Sequence, residues 1–483
     1  MEYSGPTDLY IDGTWTSSDD NATLETIDPA TEDVYATVAQ AGAVDVDAAV
    51  TAAVKAADRE SEWRSIAPSD RGEALRAFAD ALEARKEEIT LVESHDNGKT
   101  PFEADIEVTY AIDTIRYYAG WTDKIRGETI PVPNSNTDYT LREPLGATAH
   151  IAPWNYPFQL AGRSLAPALA CGNSVVLKPS STTPLSALYY GVAAEEAGLP
   201  DGVVNVLPGS GSVAGDALAS HPDIKHVAFT GSTAVGKEVL RSAADTVSGV
   251  TLELGGKGPN IVFPDADFEA AAKGCQYGIF MNAGQMCWAG SRLLVHESIQ
   301  DEFVDRIVDR AAAIELGSGI DDDGRMGPLI ADWHRDDVQA YVDTARKAGA
   351  TVVTGGTSPA DKSRGFFFEP TVLTDVTPDM PIAREEVFGP VLVVLPFSDR
   401  TEAIEIANDS PYGLSAGVWT TDLNTAHTVV DQLDYGMVSV NEYPVTHPQT
   451  PFGGYKQSGS GREQGAQAID EYTQIKNVNL NIS

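Results

Sequence analysis

Apolar residues recur every three or four positions through two alanine-rich stretches, 45–63 (DVDAAVTAAVKAADRE) and 69–93 (SDRGEALRAFADALEARKEEITLVES). That spacing predicts two amphipathic helices, with Ser69 placed as an N-cap. A third helical pattern covers about 102–121. Over 130–146 (IPVPNSNTDYTLREPLG) the helical period is lost, and Pro, Asn and Thr predict extended or hairpin structure. From 147 the pattern changes again. GATAHIAPW, SVVLKP, VVNVLPG and HVAFTGS are short apolar runs. Helical stretches separate and follow them: about 158–171, LSALYYGVAAEEAG, GSVAGDALASH and TAVGKEVLRSAA. Short strands alternating with helices predict a parallel α/β sheet. TLELGG, NIVFP, RLLVHE, a helix over 298–313, ATVVTGG and EEVFGPVLVVLPF repeat the alternation and predict a second α/β unit. The tail EYTQIKNVNLNIS alternates in character, as an edge strand added to a partner would.

At 483 residues the chain exceeds one ordinary domain, and 42% hydrophobic residues can fill large cores. No apolar run is long enough to span a bilayer. The N-terminal MEYSGPTDLYIDG is acidic and lacks the apolar stretch of a signal peptide. Three cysteines make no disulfide framework. These features predict a soluble, cytoplasmic protein. Charge sharpens the picture: 71 acidic residues against 33 basic ones give a net charge of -38, spread along the whole sequence. That balance excludes nucleic acid and anionic membrane as partners, since both require positive surface. Self-repulsion on this scale is screened only by concentrated salt, where the Debye length falls to about 3 Å at 1 M. A halophilic source is expected. Circular dichroism and activity after dialysis into millimolar salt test this: both should fall, and retention of both is the contrary result.

Candidate chemistry lies at strand-to-loop junctions. In NAGQMCWAG, 282–290, Cys287 stands among small residues that let a ligand approach closely. Alone it is either a nucleophile or a buried apolar thiol. HVAFTGSTAVGK places Gly231 and Ser232 at a helix start, which is either a phosphate-binding turn or an ordinary βα turn. Lys178 ends the strand SVVLKP, and Trp154 and Asn155 follow another strand in APWNYP. Ligands of open α/β sheets bind at such ends. Glu253 in TLELGGK has apolar and glycine neighbours that favour a raised pKa and a general-base role. Glu386 and Phe388 precede a Gly-Pro turn in EEVFGP. No HExxH or Cys/His spacing marks a metal site, and none is expected.

Taken together, PWNYP, KPS, FTGSTAVG, LELGGK, GQMCWAG, EEVFGPV and PFGGYKQSGSGRE resemble, in order and over nearly the full chain, the signature segments of the aldehyde dehydrogenase superfamily. The resemblance implies an α/β fold with a Rossmann-like cofactor domain (1–121 and 144–253), an α/β catalytic domain (254–456) and a small β oligomerisation element (122–143 and 457–483). It implies NADP or NAD as cofactor, a small aldehyde as substrate, and a homodimer or homotetramer. By that resemblance Cys287 is the nucleophile, Asn155 an oxyanion donor and Glu253 the activator of hydrolytic water. Ser232 lies on the cofactor pyrophosphate, Lys178 on the adenosine ribose, and Trp154 along the cofactor. Glu386 holds the nicotinamide ribose with Phe388 beside it, and Glu463 is a second carboxylate near the site.

Two departures matter. Many NAD-preferring members carry a glutamate where this chain has Ser181, which removes repulsion of a 2′-phosphate and predicts that NADP is accepted. Arg163 stands where many members have tryptophan and succinate-semialdehyde dehydrogenases have arginine. A guanidinium there suits a substrate carboxylate, so the expected aldehyde is an ω-semialdehyde of a dicarboxylic acid such as succinate or 2-oxoglutarate semialdehyde. A solvated arginine or an intersubunit pair is the competing reading. A second arginine of some such enzymes is absent, with Met281 six residues before Cys287. Betaine aldehyde, with Trp288 offering a cation–π face, and a broad-specificity enzyme are the alternatives. A CoA-acylating dehydrogenase fits less well because Glu253 is present. A thiol hydrolase needs a Cys–His pair not seen near Cys287, and a non-catalytic scaffold would lack the cysteine or the base. Cys171 and Cys275 are assigned to packing.

Overall fold

The computed structural model describes residues 3–133, 136–320 and 322–481. Two sheets form its frame. The first has eight strands in the order Thr14–Thr16, Leu9–Ile11, Val204–Val206, Ser174–Lys178, Ala147–Ile151, His226–Thr230, Gly249–Glu253, Gly459–Ser460. The middle five are parallel, and the two neighbours flanking them are antiparallel. Ser174–Lys178, Ala147–Ile151 and His226–Thr230 are buried throughout, as parallel strands covered on both faces must be. From Ala147–Ile151 the chain winds outward through Ser174–Lys178 and Val204–Val206. It then returns to the other side with His226–Thr230. That reversal opens a crevice at the carboxyl ends of the two central strands, where ligands of such sheets bind.

The second sheet runs Thr351–Thr354, Thr371–Thr374, Val391–Phe397, Arg292–His296, Pro259–Val262, Ser415–Trp419, Met437–Val440, parallel except for its first strand. Its core is continuous through Ile261, Leu293, Leu294, Val393 and Val418, all fully buried. A third sheet of three strands pairs Thr473–Asn481 with Asn136–Pro144 over nine residues, and Thr129–Ile130 completes it. The expected tail strand therefore pairs within its own chain. Part of the 130–146 segment, residues 134–135, lies outside the described residues. Among the described residues no helix is long and apolar enough to cross a membrane.

Several elements differ from the pattern-based expectation. The first helix, Ala43–Ala56, stops short of 63, and a separate turn of helix follows at Glu62–Ser65, capped by Ser61. The second expected helix is two: Pro68–Ala84 and Lys86–Asn97, broken at Arg85 (φ -111°, ψ 9°). Ser69 is not its cap. Ala67 is the N-cap residue, because Pro68 fits the first helical position, where its missing N–H loses nothing. GSVAGDALASH holds only a π turn, Gly211–Gly215, and one helical turn, Asp216–Ala219. TLELGG belongs to the first sheet, beside His226–Thr230. Gly459–Ser460 also joins that sheet, against Glu253 and Leu252, instead of the small third sheet.

Candidate active site

The helix Phe268–Phe280 ends just before the cysteine loop. Asn282, Ala283 and Gly284 then take φ of 47°, 50° and 75° in succession. Two L-residues in the left-handed region are strained unless their surroundings fix them. Here they do. The Asn282 N–H donates to Glu103 Oε1 at 2.8 Å, Gln285 Nε2 donates to the Asn282 carbonyl at 2.9 Å, and the Ile330 N–H donates to Gln285 Oε1 at 2.9 Å. Only glycine fits at 284, where a Cβ would lie 2.1 Å from the Gly389 carbonyl oxygen. The turn delivers Cys287 half-buried, and its backbone N–H has no hydrogen-bond partner among the described residues. A Cβ on Gly256 would meet the Cys287 carbonyl at 2.4 Å, so the glycine after Glu253-Leu254-Gly255 lets the two segments touch.

Cys287 and Asn155 each line two separate cavities. One, of about 360 Å³, is walled mainly by Tyr110, Leu160, Met286, Trp288, Tyr443 and Phe452. The other, of about 370 Å³, is lined by Trp154, Gly231, Ser232, His334, Glu386 and Phe388. The second opens at the crevice between the central strands of the first sheet. Asn155 is buried where they meet. Its Nδ2 donates to the Gln285 carbonyl at 2.9 Å, which leaves its second N–H free to point elsewhere.

The second cavity has a helix start and an aromatic pair in its wall. Ser232 is the N-cap of the helix Thr233–Ala244, its hydroxyl accepting from Val235 N–H. Ser232 thus caps the helix as in an ordinary βα turn, and with Gly231 it also lines the cavity. The Gly231 N–H donates to the Glu253 carbonyl at 3.0 Å. Trp154 and Phe388 meet edge to face at 5.3 Å. Phe388 has φ 57°, an outlier for a bulky residue, and its carbonyl accepts from His334 Nε2 at 2.7 Å. Glu386 accepts the Gly256 N–H at 2.9 Å, and burial pushes its carboxyl up to about 7. A Cβ on Gly255 would fall 2.0 Å from that carboxylate. The glycine pair thus serves both Cys287 and Glu386. Lys178 and Ser181 lie outside this lining. Lys178 is buried, donates to the Pro179 and Gly209 carbonyls at 2.7 and 3.1 Å, and is pushed down to about 8 by burial. Ser181 is exposed.

Behind Cys287 lies a buried charge cluster. Arg163 Nε donates to Glu463 Oε2, and its guanidinium carbon sits 4.2 Å over the Phe452 ring. Arg163 lines the first cavity, as expected for a substrate residue, but its partner is a carboxylate of the chain itself. It is neither solvated nor on the surface. Glu463 does not line either cavity around Cys287. Both oxygens of Glu253 are buried without a hydrogen-bond partner. Burial and the nearby Glu463 raise the Glu253 carboxyl well above the usual range, with Arg163 opposing them. Burial likewise pushes the Cys287 thiol up to about 12, against the pull of Arg163, and Glu253 and Glu386 add to the rise.

The whole chain can now be set against known proteins. The family model described as the aldehyde dehydrogenase family matches residues 15–478. The chain belongs to the aldehyde dehydrogenase family. Its members are oxidoreductases acting on aldehydes. An aldehyde dehydrogenase of Emericella nidulans is 45% identical over 483 residues, covering 100% of this chain and 96% of the relative. The solved NAD+ complex of an aldehyde dehydrogenase from Bacillus cereus superposes with a TM-score of 0.97 at 46% identity, covering 99% of this chain and 97% of that one. A betaine aldehyde dehydrogenase from Staphylococcus aureus, solved with NAD+, gives 0.96 at 40% identity, covering 99% and 95%. The mixed α/β sheets described above are the aldehyde dehydrogenase fold.

Sequence reasoning missed several residues that shape this site. Asn97, Lys99 and Glu103 are buried and reach Asn155 or the cysteine loop. Tyr443 OH donates to the Trp288 carbonyl. His334 fixes Phe388. None carries a local signal, because their partners lie about fifty or more residues away in sequence.

Proposed function

We propose that the protein oxidises a small aldehyde to a carboxylic acid with NAD or NADP, through a covalent intermediate on Cys287. The observation that carries this is the position of Cys287 and Asn155 on the shared wall of the two cavities. An aldehyde in the first cavity puts its carbonyl carbon at the thiol. The thiolate adds to that carbon, and the new oxyanion accepts from the Asn155 amide and the Cys287 N–H. Such a preorganised pair is the largest single source of stabilisation in acyl-transfer sites. A bound nicotinamide cofactor supplies the acceptor for the hydride that leaves this carbon. The thioester so formed is attacked by water, whose proton passes to Glu253. The acid leaves and the Cys287 thiolate is regenerated.

The residues of the second cavity fit such a cofactor: a capped helix start for phosphate, an aromatic pair, and Glu386 for ribose hydroxyls. Among the described residues Lys178 has no acidic partner, and Ser181 is neutral, which supports acceptance of NADP. Steady-state kinetics with both cofactors should give comparable kcat/KM values. An NAD preference above about tenfold overturns that expectation.

For substrate, the aromatic and aliphatic wall favours neutral aldehydes and a broad range, and Glu463 already neutralises Arg163. One observation favours the ω-semialdehyde reading: Arg163 Nη2 is buried without a partner. Turnover of hexanal, betaine aldehyde and succinate semialdehyde by Arg163→Ala separates these. Equal loss on all three supports a role in holding Glu463, and loss on the semialdehyde alone supports carboxylate binding.

Because burial holds the Cys287 thiol high, the thiolate fraction grows about tenfold per pH unit below its pKa. Alkylation of Cys287 by iodoacetamide should therefore accelerate steadily over about pH 6 to 9. A rate already level at the acid end is the contrary result.

Assembly follows from the third sheet. Thr473–Asn481 is an edge strand of it with Ile475 and Leu480 exposed, and Leu141 is exposed on the neighbouring strand Asn136–Pro144. We infer that it joins a second copy in a homodimer or homotetramer, to be read by analytical ultracentrifugation in concentrated salt.

A further inference from the structure

We propose that Lys99 is a positioning residue that holds the Asn155 loop against the Cys287 loop and so aligns the two oxyanion donors. The proposal rests on the oxyanion role given to Asn155 above.

Lys99 lies between the helices Lys86–Asn97 and Pro101–Ala119, just after Gly98, whose φ of 89° ends the first of them. Its side chain is fully buried, and an ammonium taken out of water is destabilising unless its donors are matched. It has three N–H donors and three acceptors. Two are the carboxylates of Glu107 and of Glu93, the latter at 3.3 Å. The third is the backbone carbonyl of Asn155, at 3.0 Å. The ammonium also sits 4.2 Å over the ring of Tyr156, the next residue. One charge thus holds the Asn155 carbonyl and the side chain of the residue that follows it.

The same carbonyl accepts from Asn282 Nδ2 at 2.9 Å, across from the cysteine loop, and more weakly from Asn97 Nδ2 at 3.5 Å. Asn97 also donates to the Trp154 carbonyl at 2.6 Å. Four residues after Lys99, Glu103 takes the Asn282 N–H with one oxygen and the Thr100 N–H and hydroxyl with the other. Glu107 accepts from the Gln159 N–H at 3.1 Å, in the first turn of the helix that follows Asn155. A single segment, 97–107, therefore fixes both the asparagine that offers a side-chain N–H and the left-handed turn that offers the Cys287 N–H. Lys99 lines neither cavity that meets Cys287, so it acts through these loops and not on substrate. A misplacement of about 1 Å between reacting groups lowers a rate by about a hundredfold.

The test is a double-mutant cycle on the full-length enzyme with NAD and propanal. Lys99→Met should lower kcat by about ten- to hundredfold with the KM for NAD nearly unchanged, and iodoacetamide should still alkylate Cys287 at the parental rate. In an Asn155→Ala background, Lys99→Met should cause no further loss, since the group it aligns is gone. Should the stranded carboxylates prevent Lys99→Met from folding, Lys99→Met/Glu107→Gln removes one of those charges and is measured in the same cycle. An unchanged kcat in the lysine variant overturns the proposal, as does an equal fold-loss in both backgrounds. If Asn155→Ala alone keeps full turnover, the oxyanion reading fails and this proposal with it. If Asn155→Ala is impaired and the losses multiply, only the role of Lys99 fails.

Discussion

Cys287→Ala is expected to abolish aldehyde oxidation, by about four orders of magnitude or more, while leaving NAD or NADP binding intact. The size follows from the chemistry. Asn155 and Cys287 are the two residues that line both cavities, and an amide donor such as Asn155 cannot form the bond to the carbonyl carbon. Binding should survive because the cofactor-cavity residues, from Trp154 and Ser232 to Glu386 and Phe388, are held by contacts that do not involve the sulfur. Removing one sulfur atom enlarges the junction of existing cavities and buries no new polar group. Reduced cofactor released per enzyme and an isothermal titration with NAD or NADP measure the two halves. The other cysteines supply the control. Cys171 and Cys275 sit in the cores of the first and second halves of the molecule, fully buried, and burial drives both thiols upward. Cys275→Ala should keep hydride transfer. A Cys287→Ala enzyme with measurable steady turnover, or a Cys275→Ala enzyme without it, contradicts the assignment.

What the sequence made legible is what local pattern encodes. The runs at 147–151, 174–178 and 226–230 are apolar and bounded by glycine or proline, so the strands and their carboxyl ends were expected where they stand. The residues at those ends, Trp154, Asn155, Gly231 and Ser232, then follow into the crevice. The cysteine loop illustrates the opposite case. Asparagine tolerates the left-handed region, but nothing in Ala283 announces a second such residue beside it. Glu103, and Gln285 anchored on the Ile330 N–H, hold the turn from distant parts of the chain. Helix Pro101–Ala119 hides its function in the same way. Glu103 and Glu107 fall in an amphipathic pattern as polar residues that face water, yet both are buried, and only their tertiary partners reveal why. Arg163 was expected to await a carboxylate from the substrate, and three hundred residues later in sequence the chain provides its own in Glu463. A two-residue strand such as Gly459–Ser460 is too short to carry any period.

Glu253→Gln is the second large effect, a fall of about a hundredfold to ten-thousandfold in steady turnover with the first turnover preserved. The cluster explains both parts. Glu253, Glu463 and Arg163 place two buried carboxyls beside one guanidinium, and the guanidinium is tied to Glu463. Glu253 is therefore the carboxyl with both oxygens unengaged, poised to take a proton. Its raised pKa makes it a stronger base once ionised, so turnover should climb with pH until the carboxyl is fully ionised. Glutamine keeps the shape and cannot accept the proton of the hydrolytic water. Formation of the thioester does not need that step. Rapid mixing of Glu253→Gln with NAD and an aldehyde should show one equivalent of reduced cofactor per active site, then a slow phase, and the acylated Cys287 peptide should be visible by mass spectrometry. The same substitution should flatten the climb of turnover with pH that the carboxylate imposes. A burst lost together with steady turnover would place Glu253 before the hydride step, as the base that ionises Cys287, and would move the water-activating role elsewhere.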